Sequence, residues 1–190
     1  MTIVTTTHHD HERRNGMKAY KMCRMRKDGT LGPMFVGTDE IFPIGVWVTA
    51  QMSFRRKLDK VYSRLGWLKF RPGLHFAAIP YAPHIGIKEN GVIKYMHDDV
   101  VWCECEITDE IDYTLEAHER GMRNGKFNAQ KACLDYIPVN GFYWYTTNPN
   151  AKADWLIAGG MRIVRVLDDE ECARICAEHG VEFIPHRKVA

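Results

Sequence analysis

The chain has 190 residues, of which 45% are hydrophobic, and a formal net charge of +2 with neutral histidines. This length is enough for one domain with a substantial core, and the small net charge excludes a global field that would select nucleic acid or an acidic surface as partner. No apolar run approaches the roughly 20 residues of a membrane span, and the first residues lack the apolar segment of a secretory signal. The sequence therefore predicts a soluble, cytoplasmic protein that does not bind membranes.

The domain organisation is predicted from changes in composition along the chain. Residues 1–16 are polar and unpatterned and predict a flexible tail. Residues 17–185 predict a single domain, and residues 186–190 a frayed C-terminus. Six cysteines occur, and a chain of this size does not need disulfides. Buried free thiols are the favoured interpretation; a metal site is the alternative, although no pair has the usual CxxC spacing.

The first half of the domain contains a predicted hairpin and a predicted helix. The segment "KAYKMCRMRKDGTLGPMFV" at 18–36 predicts two strands around a KDGT turn, with Arg24 on the same face as Tyr20 and Met22. Apolar residues at helical spacing predict a helix over 54–65 that ends at Gly66. Its other face is basic, which is typical of a solvated surface or of a nucleic-acid contact; the residues are Arg55, Arg56, Lys57, Lys60 and Arg64.

The second half alternates strands and short helices without a regular βαβ order. The run "DDVVWCECEI" predicts a strand, the segments 108–125 and 127–138 predict two helices, and "DWLIAGGMRIVRVL" predicts a strand interrupted at Gly159 by a bulge or a close backbone approach. Asp168 and Glu171 predict a capping box for a last helix that ends at Gly180. This order of elements predicts an α+β fold with a mainly antiparallel sheet.

The stretch "RPGLHFAAIPYAPHIG" at 71–86 contains three prolines, two histidines and two glycines, so a bent segment is expected there. No GxGxxG or GxxxxGK fingerprint occurs, which removes the main support for Rossmann and P-loop folds. Taken with Arg24 on the first strand and "ADWLIAGGMRIVRVL" near the end, the stretch resembles the ADP-ribosyltransferase superfamily. The resemblance implies a split antiparallel sheet and NAD as a substrate.

The resemblance also implies roles for particular residues. Arg24, Gly73 and Phe76 would bind the dinucleotide, His75 would take the place of the aromatic residue that stacks on nicotinamide, and Asp154 would take the place of the catalytic glutamate. A carboxylate against the ribose would stabilise an oxocarbenium-like transition state. The structural alternatives remain open: a hydrogen-bonded core histidine at 75 and a turn cap at 154.

The chain is also similar to uncharacterised small proteins of bacteriophage genomes. Together the two resemblances imply transfer of ADP-ribose to a host protein or nucleic acid during infection. The alternative is a non-catalytic accessory or inhibitory module that binds its partner through the basic helix or through an exposed aromatic patch at 142–145. A third possibility, a metal hydrolase using His75, His84 and His97, lacks a recognisable ligand spacing.

Overall fold

The computed structural model describes residues 3–5, 16–50, 60–63, 66–146 and 153–188. Within them, one ten-stranded sheet forms the centre of the molecule, and two short α-helices pack on it. In chain order, the elements are β1 (Ile3–Thr5), β2 (Met17–Met25), β3 (Leu31–Gly32), β4 (Trp47–Ala50), β5 (Lys60–Ser63), β6 (Gly66–Lys69), β7 (Leu74–Ala77), β8 (Ile87–Glu89), β9 (Val92–Tyr95), β10 (Val100–Ile107), β11 (Ile111–Asp112), α1 (Thr114–Gly121), β12 (Met122–Arg123), β13 (Lys126–Phe127), β14 (Gly141–Tyr145), β15 (Trp155–Ala158), β16 (Gly160–Val166) and α2 (Asp169–Glu178). All strand pairs of the ten-stranded sheet are antiparallel except β11–β14 at one edge. The predicted mainly antiparallel sheet is confirmed, and the small helical content beside it fits an α+β or a mostly-β fold.

The sheet curls back on itself because β15 and β16 are the two halves of one bent segment, and each half pairs with a different strand of the sheet. The order is β1-β4-β16-β10-β2-β7-β15-β14-β11, with β3 beside β2. The strands β15 and β16 are consecutive in the chain and are separated only by Gly159. Since β15 pairs with β7 and β16 pairs with β10, the path β7-β2-β10 is closed into a small ring of strands.

Two apolar layers follow from this curl. The interior of the ring is filled by alternate residues of its strands, including Ala19 and Cys23 of β2, Phe76 of β7 and Cys105 of β10. The opposite face of the sheet is covered mainly by α2, whose buried residues pack against the other side of β2 and β10. A third, smaller cluster packs α1 against β14 and β15.

Helix α2 begins where the sequence predicts. The Asp168 carboxylate accepts a hydrogen bond from the backbone N–H of Glu171, and the Glu171 side chain accepts one from the N–H of Asp168, so the predicted capping box is confirmed. Leu167, before the cap, and Cys172, one turn into the helix, are buried in the same cluster. The cap therefore sets the angle at which the helix lies on the sheet.

Two helix predictions are wrong. Residues 60–63 form β5, which pairs with β6 in a hairpin, because Val61 and Tyr62 are residue types that suit a pleated strand as well as a helix stripe. Residues 54–59 and 64–65 lie outside the described residues, and so do Arg55, Arg56, Lys57 and Arg64 of the predicted basic face. Phe127 ends β13, and residues 128–138 form one turn followed by irregular chain; at this turn the Asn128 side chain accepts a hydrogen bond from the N–H of Gln130.

The two chain ends differ from their predictions. Ile3–Thr5, inside the predicted tail, pairs with β4. At the other end, the backbone N–H of His186 donates to Oδ2 of Asp169 in α2 at 3.3 Å, and Lys188 forms an ion pair with Glu89 at 3.1 Å. The packed part of the chain therefore extends beyond residue 185, because these polar contacts continue the cover of the sheet.

The bend at Gly159 has a steric requirement that can be tested. A Cβ atom at this position would lie 1.8 Å from the carbonyl oxygen of Pro138. We expect Gly159→Ala to lower the free energy of unfolding by about 3 kcal/mol or more, since backbone on both sides of the contact must move. Denaturant unfolding measures the loss. In Gly45→Ala, where a Cβ meets nothing within 4 Å, the expected loss is only about 1 kcal/mol; equal losses would contradict this account of the bend.

Candidate functional site

A cavity of about 490 Å³ opens beside β2 and β7. Its size lies within the range of roughly 300 to 1,000 Å³ that is usual for small-molecule sites. Seven residues of the 71–86 stretch line it, namely Arg71, Gly73, Leu74, His75, Phe76, His84 and Ile85. The stretch thus bends as predicted: β7 forms one wall, and a 3₁₀ turn at Pro83–Ile85 returns the chain to the cavity.

Aromatic side chains form most of the remaining wall. They come from four parts of the chain: the loop after β3, strand β6 with the residue after it, strand β7, and the start of β15. Such a surface suits a flat, unsaturated molecule, because aromatic rings stack on one another; the residues are Phe35, Phe42, Trp67, Phe70, Phe76 and Trp155.

Lys21 of β2 places an amine in this apolar surrounding. By strand alternation its side chain lies on the ring-interior face with Ala19 and Cys23, and it is only 9% exposed. Its Nζ donates a hydrogen bond to the carbonyl oxygen of His75 at 2.9 Å and lies 5.0 Å from the ring centre of Phe76. Burial lowers the pKa of Lys21, so the neutral amine is favoured relative to an exposed lysine.

Arg71 is a second buried cation in the cavity wall. Its guanidinium Cζ lies 5.1 Å from the ring centre of Tyr145, and Nη2 donates a long hydrogen bond of 3.3 Å to the carbonyl oxygen of Ala129. Its Nε is buried and has no hydrogen-bond partner among the residues that the structure describes. Among the described residues, no carboxylate lies within ion-pair distance of Arg71 or Lys21. Buried charge of this kind needs a compensating partner.

His75 lies between the two cations and is hydrogen-bonded on both ring nitrogens. Nε2 is 3.1 Å from the carbonyl oxygen of Arg71, which can only accept, so this nitrogen carries the proton. Nδ1 then accepts from the Tyr145 hydroxyl at 3.2 Å. Burial, and then the positive charges of Lys21 and Arg71, lower the pKa of His75 to about 4. His75 is therefore a neutral, fully bonded histidine that holds the cavity wall in place.

The structure brings together three of the five residues that the ADP-ribosyltransferase resemblance singles out. Gly73, His75 and Phe76 all line the cavity. Gly73 has a φ of +116°, and a Cβ there would lie 2.2 Å from Cγ2 of Ile157, so close packing of the sheet by itself requires glycine.

The other two predicted residues lie elsewhere. Arg24 is at the far end of β2, where its Nε donates to Oδ2 of Asp99 at 2.8 Å, and it does not line the cavity. Asp154 is exposed just before β15 and is also absent from the cavity wall. The structure therefore does not bring Arg24, His75 and Asp154 to one cleft.

The sequence also predicted two alternative sites, an aromatic patch at 142–145 and a metal site at His75, His84 and His97. The aromatic patch at 142–145 is not exposed as predicted: Phe142 is buried and Tyr143 fully so, because β14 lies between β15 and β11 in the sheet. His84 lies in the cavity wall with its ring edge against Trp155, whereas His97 does not line the cavity. No group of three histidine, cysteine or acidic side chains in the described part of the chain is arranged to hold a metal ion.

The cysteines are as predicted for the most part. All six are free thiols, and five are buried; Cys133 is half-buried. Burial raises the pKa of Cys105 and Cys172, which keeps both in the thiol form.

Lys21 and Arg71, the two residues that give the cavity its charge, were not singled out from the sequence. For Lys21 a signal existed, because it interrupts the apolar face of a predicted strand between Ala19 and Cys23. For Arg71 there was none, since its burial depends on Tyr145 and Ala129, far along the chain.

Comparisons with known protein families, with curated proteins and with solved structures gave no match. Neither α-helix of the described residues combines the length and the apolar character needed to cross a membrane. The site is accordingly interpreted from its own geometry.

The low pKa of His75 gives an expected pH dependence. Above pH 6.5 the histidine is neutral in both the folded and unfolded states. Between pH 6.5 and about 4 only the unfolded state takes up the proton, so stability falls as pH falls. We expect the loss to reach about 3 kcal/mol at pH 4. His75→Gln should flatten this part of the stability curve measured by denaturant unfolding, while His118→Gln, at an exposed position, should leave it unchanged. Identical curves for wild type and His75→Gln would refute the assignment.

The burial of Lys21 gives a second expectation. Replacing it by Met removes a buried amine that has one hydrogen bond and leaves a side chain of similar length. We expect Lys21→Met to be as stable as wild type or more stable by about 1 kcal/mol at pH 7, measured by thermal and denaturant unfolding. Lys88→Met, at an exposed position, is the matched control and should change stability by less than about 0.5 kcal/mol. If Lys21→Met lowers the free energy of unfolding by more than about 2 kcal/mol, the amine stabilises the fold and this account is wrong.

Proposed function

We propose that this protein binds a small, flat, unsaturated molecule that carries a carboxylate or phosphate group, in the cavity beside β2 and β7. The observation that carries the proposal is the buried Arg71 guanidinium, for which the described residues provide neither a partner to Nε nor a neutralising carboxylate. Arginine is charged at every physiological pH, so the missing negative charge is supplied best by a ligand. The planar guanidinium also matches the two oxygens of a carboxylate or phosphate.

The rest of the cavity supports the same ligand class. Aromatic side chains on several sides suit a flat ring, and Lys21 adds a second group that gains from a nearby anion, since an anion raises the pKa of a buried amine. The Glu40 carboxyl also lines the cavity, and burial raises its pKa, which reduces its repulsion of an anionic ligand. The neutral His75 adds no charge and keeps the wall rigid through its two hydrogen bonds.

NAD shares two features with this ligand class, a flat ring and phosphate groups, and it is the ligand that the family resemblance implies. ADP-ribose transfer from NAD to a host protein or nucleic acid is the second candidate function, favoured by the positions of Gly73, His75 and Phe76 in the cavity wall. Its test is nicotinamide release by wild type and by Asp154→Asn at equal folded concentration. Loss of roughly a hundredfold in the variant would support transfer, whereas equal rates would remove Asp154 from any catalytic role.

The binding proposal is tested with matched ligands. We expect 2-naphthoate to raise the melting temperature in a dose-dependent way, because a ligand of the folded state stabilises it by mass action, and the neutral amide 2-naphthamide to have a much smaller effect. NAD and nicotinamide mononucleotide test the phosphate form of the ligand. Calorimetric titration gives the affinities.

Variants test whether the charge of Arg71 binds the anion. Arg71→Gln should weaken naphthoate binding by about tenfold or more, in line with a charge-assisted hydrogen bond, while Arg123→Gln, at an exposed position, should bind as wild type does. Equal binding of the acid and the amide, or the absence of binding by any of these ligands, would exclude the proposed anion site.

A further inference from the structure

Lys21 has a geometry that ligand binding alone does not use. Its amine nitrogen lies in the wall of a cavity, makes one hydrogen bond within the described part of the chain, and lies 5.6 and 5.0 Å from the ring centres of Phe42 and Phe76. No described acidic group is paired with it. A neutral amine that donates one N–H to a carbonyl oxygen keeps its electron pair free, which is the requirement for attack on a carbonyl carbon.

We propose that Lys21 captures the carbonyl group of an aromatic oxo acid as an imine, while Arg71 holds the carboxylate of the same molecule. This inference rests on the proposed anion site and names its ligand more closely. An aldehyde or ketone carrying an aromatic ring and a carboxylate satisfies the three chemical features of the cavity at once: the amine, the guanidinium and the aromatic wall.

The reaction is balanced without another reagent. The neutral Nζ of Lys21 donates its electron pair to the carbonyl carbon, a proton moves from nitrogen to the former carbonyl oxygen, and the resulting carbinolamine loses one water to leave a carbon–nitrogen double bond. Because an imine is neutral or singly protonated, the apolar surroundings disfavour it less than they disfavour the free ammonium group with its stronger hydration. The surroundings also limit the water that would hydrolyse it.

Three other features support Lys21 over the remaining lysines. Burial lowers the pKa of Lys21, which raises the share of reactive amine at neutral pH. The carbonyl oxygen of His75 fixes the direction of its side chain, and the ring of His75 is itself fixed by Tyr145 and by the backbone of Arg71. The nucleophile and the anion-binding group are therefore positioned through one shared residue.

The test is reductive trapping with defined probes. Phenylpyruvate presents its carbonyl next to the carboxylate, and 4-carboxybenzaldehyde presents it across the ring, so together they cover a short and a long spacing. The full chain is treated with each probe and cyanoborohydride at pH 7, and intact mass and peptide mapping locate the secondary amine that reduction leaves. We expect one adduct per chain, on Lys21, with at least one probe.

Matched variants and ligands complete the experiment. Lys21→Met should lose the adduct and Lys88→Met should keep it; Arg71→Gln should reduce the ratio of the trapping rate with 4-carboxybenzaldehyde to that with benzaldehyde about tenfold. The alcohol analogue 4-(hydroxymethyl)benzoate should raise the melting temperature without forming an adduct. Adducts scattered over surface lysines, or the same trapping in Lys21→Met, would overturn the imine proposal.

The two proposals fail in different ways. Stabilisation by 4-(hydroxymethyl)benzoate and by naphthoate, with no trapped adduct on Lys21 from either carbonyl probe, leaves the anion site in place and rejects the imine. Absence of both stabilisation and trapping rejects both.

Discussion

The fold depends on the bend at Gly159, where the chain passes from β15, which pairs with β7, to β16, which pairs with β10. Pro138 approaches so closely that a side chain at this position is excluded, and the approach lets one continuous segment supply both β15 and β16. The ring that results turns alternate residues of β2 inward. Lys21 is buried because the sheet closes, since on an open sheet the same alternation would leave that face accessible to water.

The electrostatics of the cavity follow from this closure. Two basic side chains, Arg71 and Lys21, lie near a neutral histidine in a low-dielectric region, and the carboxyl that lines the same cavity, Glu40, has a pKa raised by burial. Elsewhere in the protein, surface cations are paired with carboxylates across neighbouring strands. Arg162 pairs with Glu106, and Lys18 pairs with Glu104. Arg71 and Lys21, in contrast, have no carboxylate within ion-pair distance in the described part of the chain, which is the pattern expected of a site prepared for an external anion.

Sequence reasoning succeeded where structure is locally determined. The strand at 100–107, the capping box of α2 and the hairpin after Met17 all depend on residues within one element or one turn. It also located the stretch at 71–86, whose prolines and glycines mark a bend. It failed over 60–63, where a helical spacing of apolar residues was also compatible with a strand. Arg24 and Asp154 were joined to His75 by resemblance, and their separation depends on long-range register that no local pattern encodes.

The apolar surroundings of Lys21 have an evolutionary consequence. A methionine or leucine at this position would fit the ring interior without an amine to desolvate, so selection for folding alone favours the replacement of the lysine. A lineage that no longer used the cavity would therefore lose the amine early and keep the fold. Among sequences that share the Gly159 bend, the presence or absence of a basic residue at this one strand position would then separate chains that retain the activity from chains that retain only the scaffold.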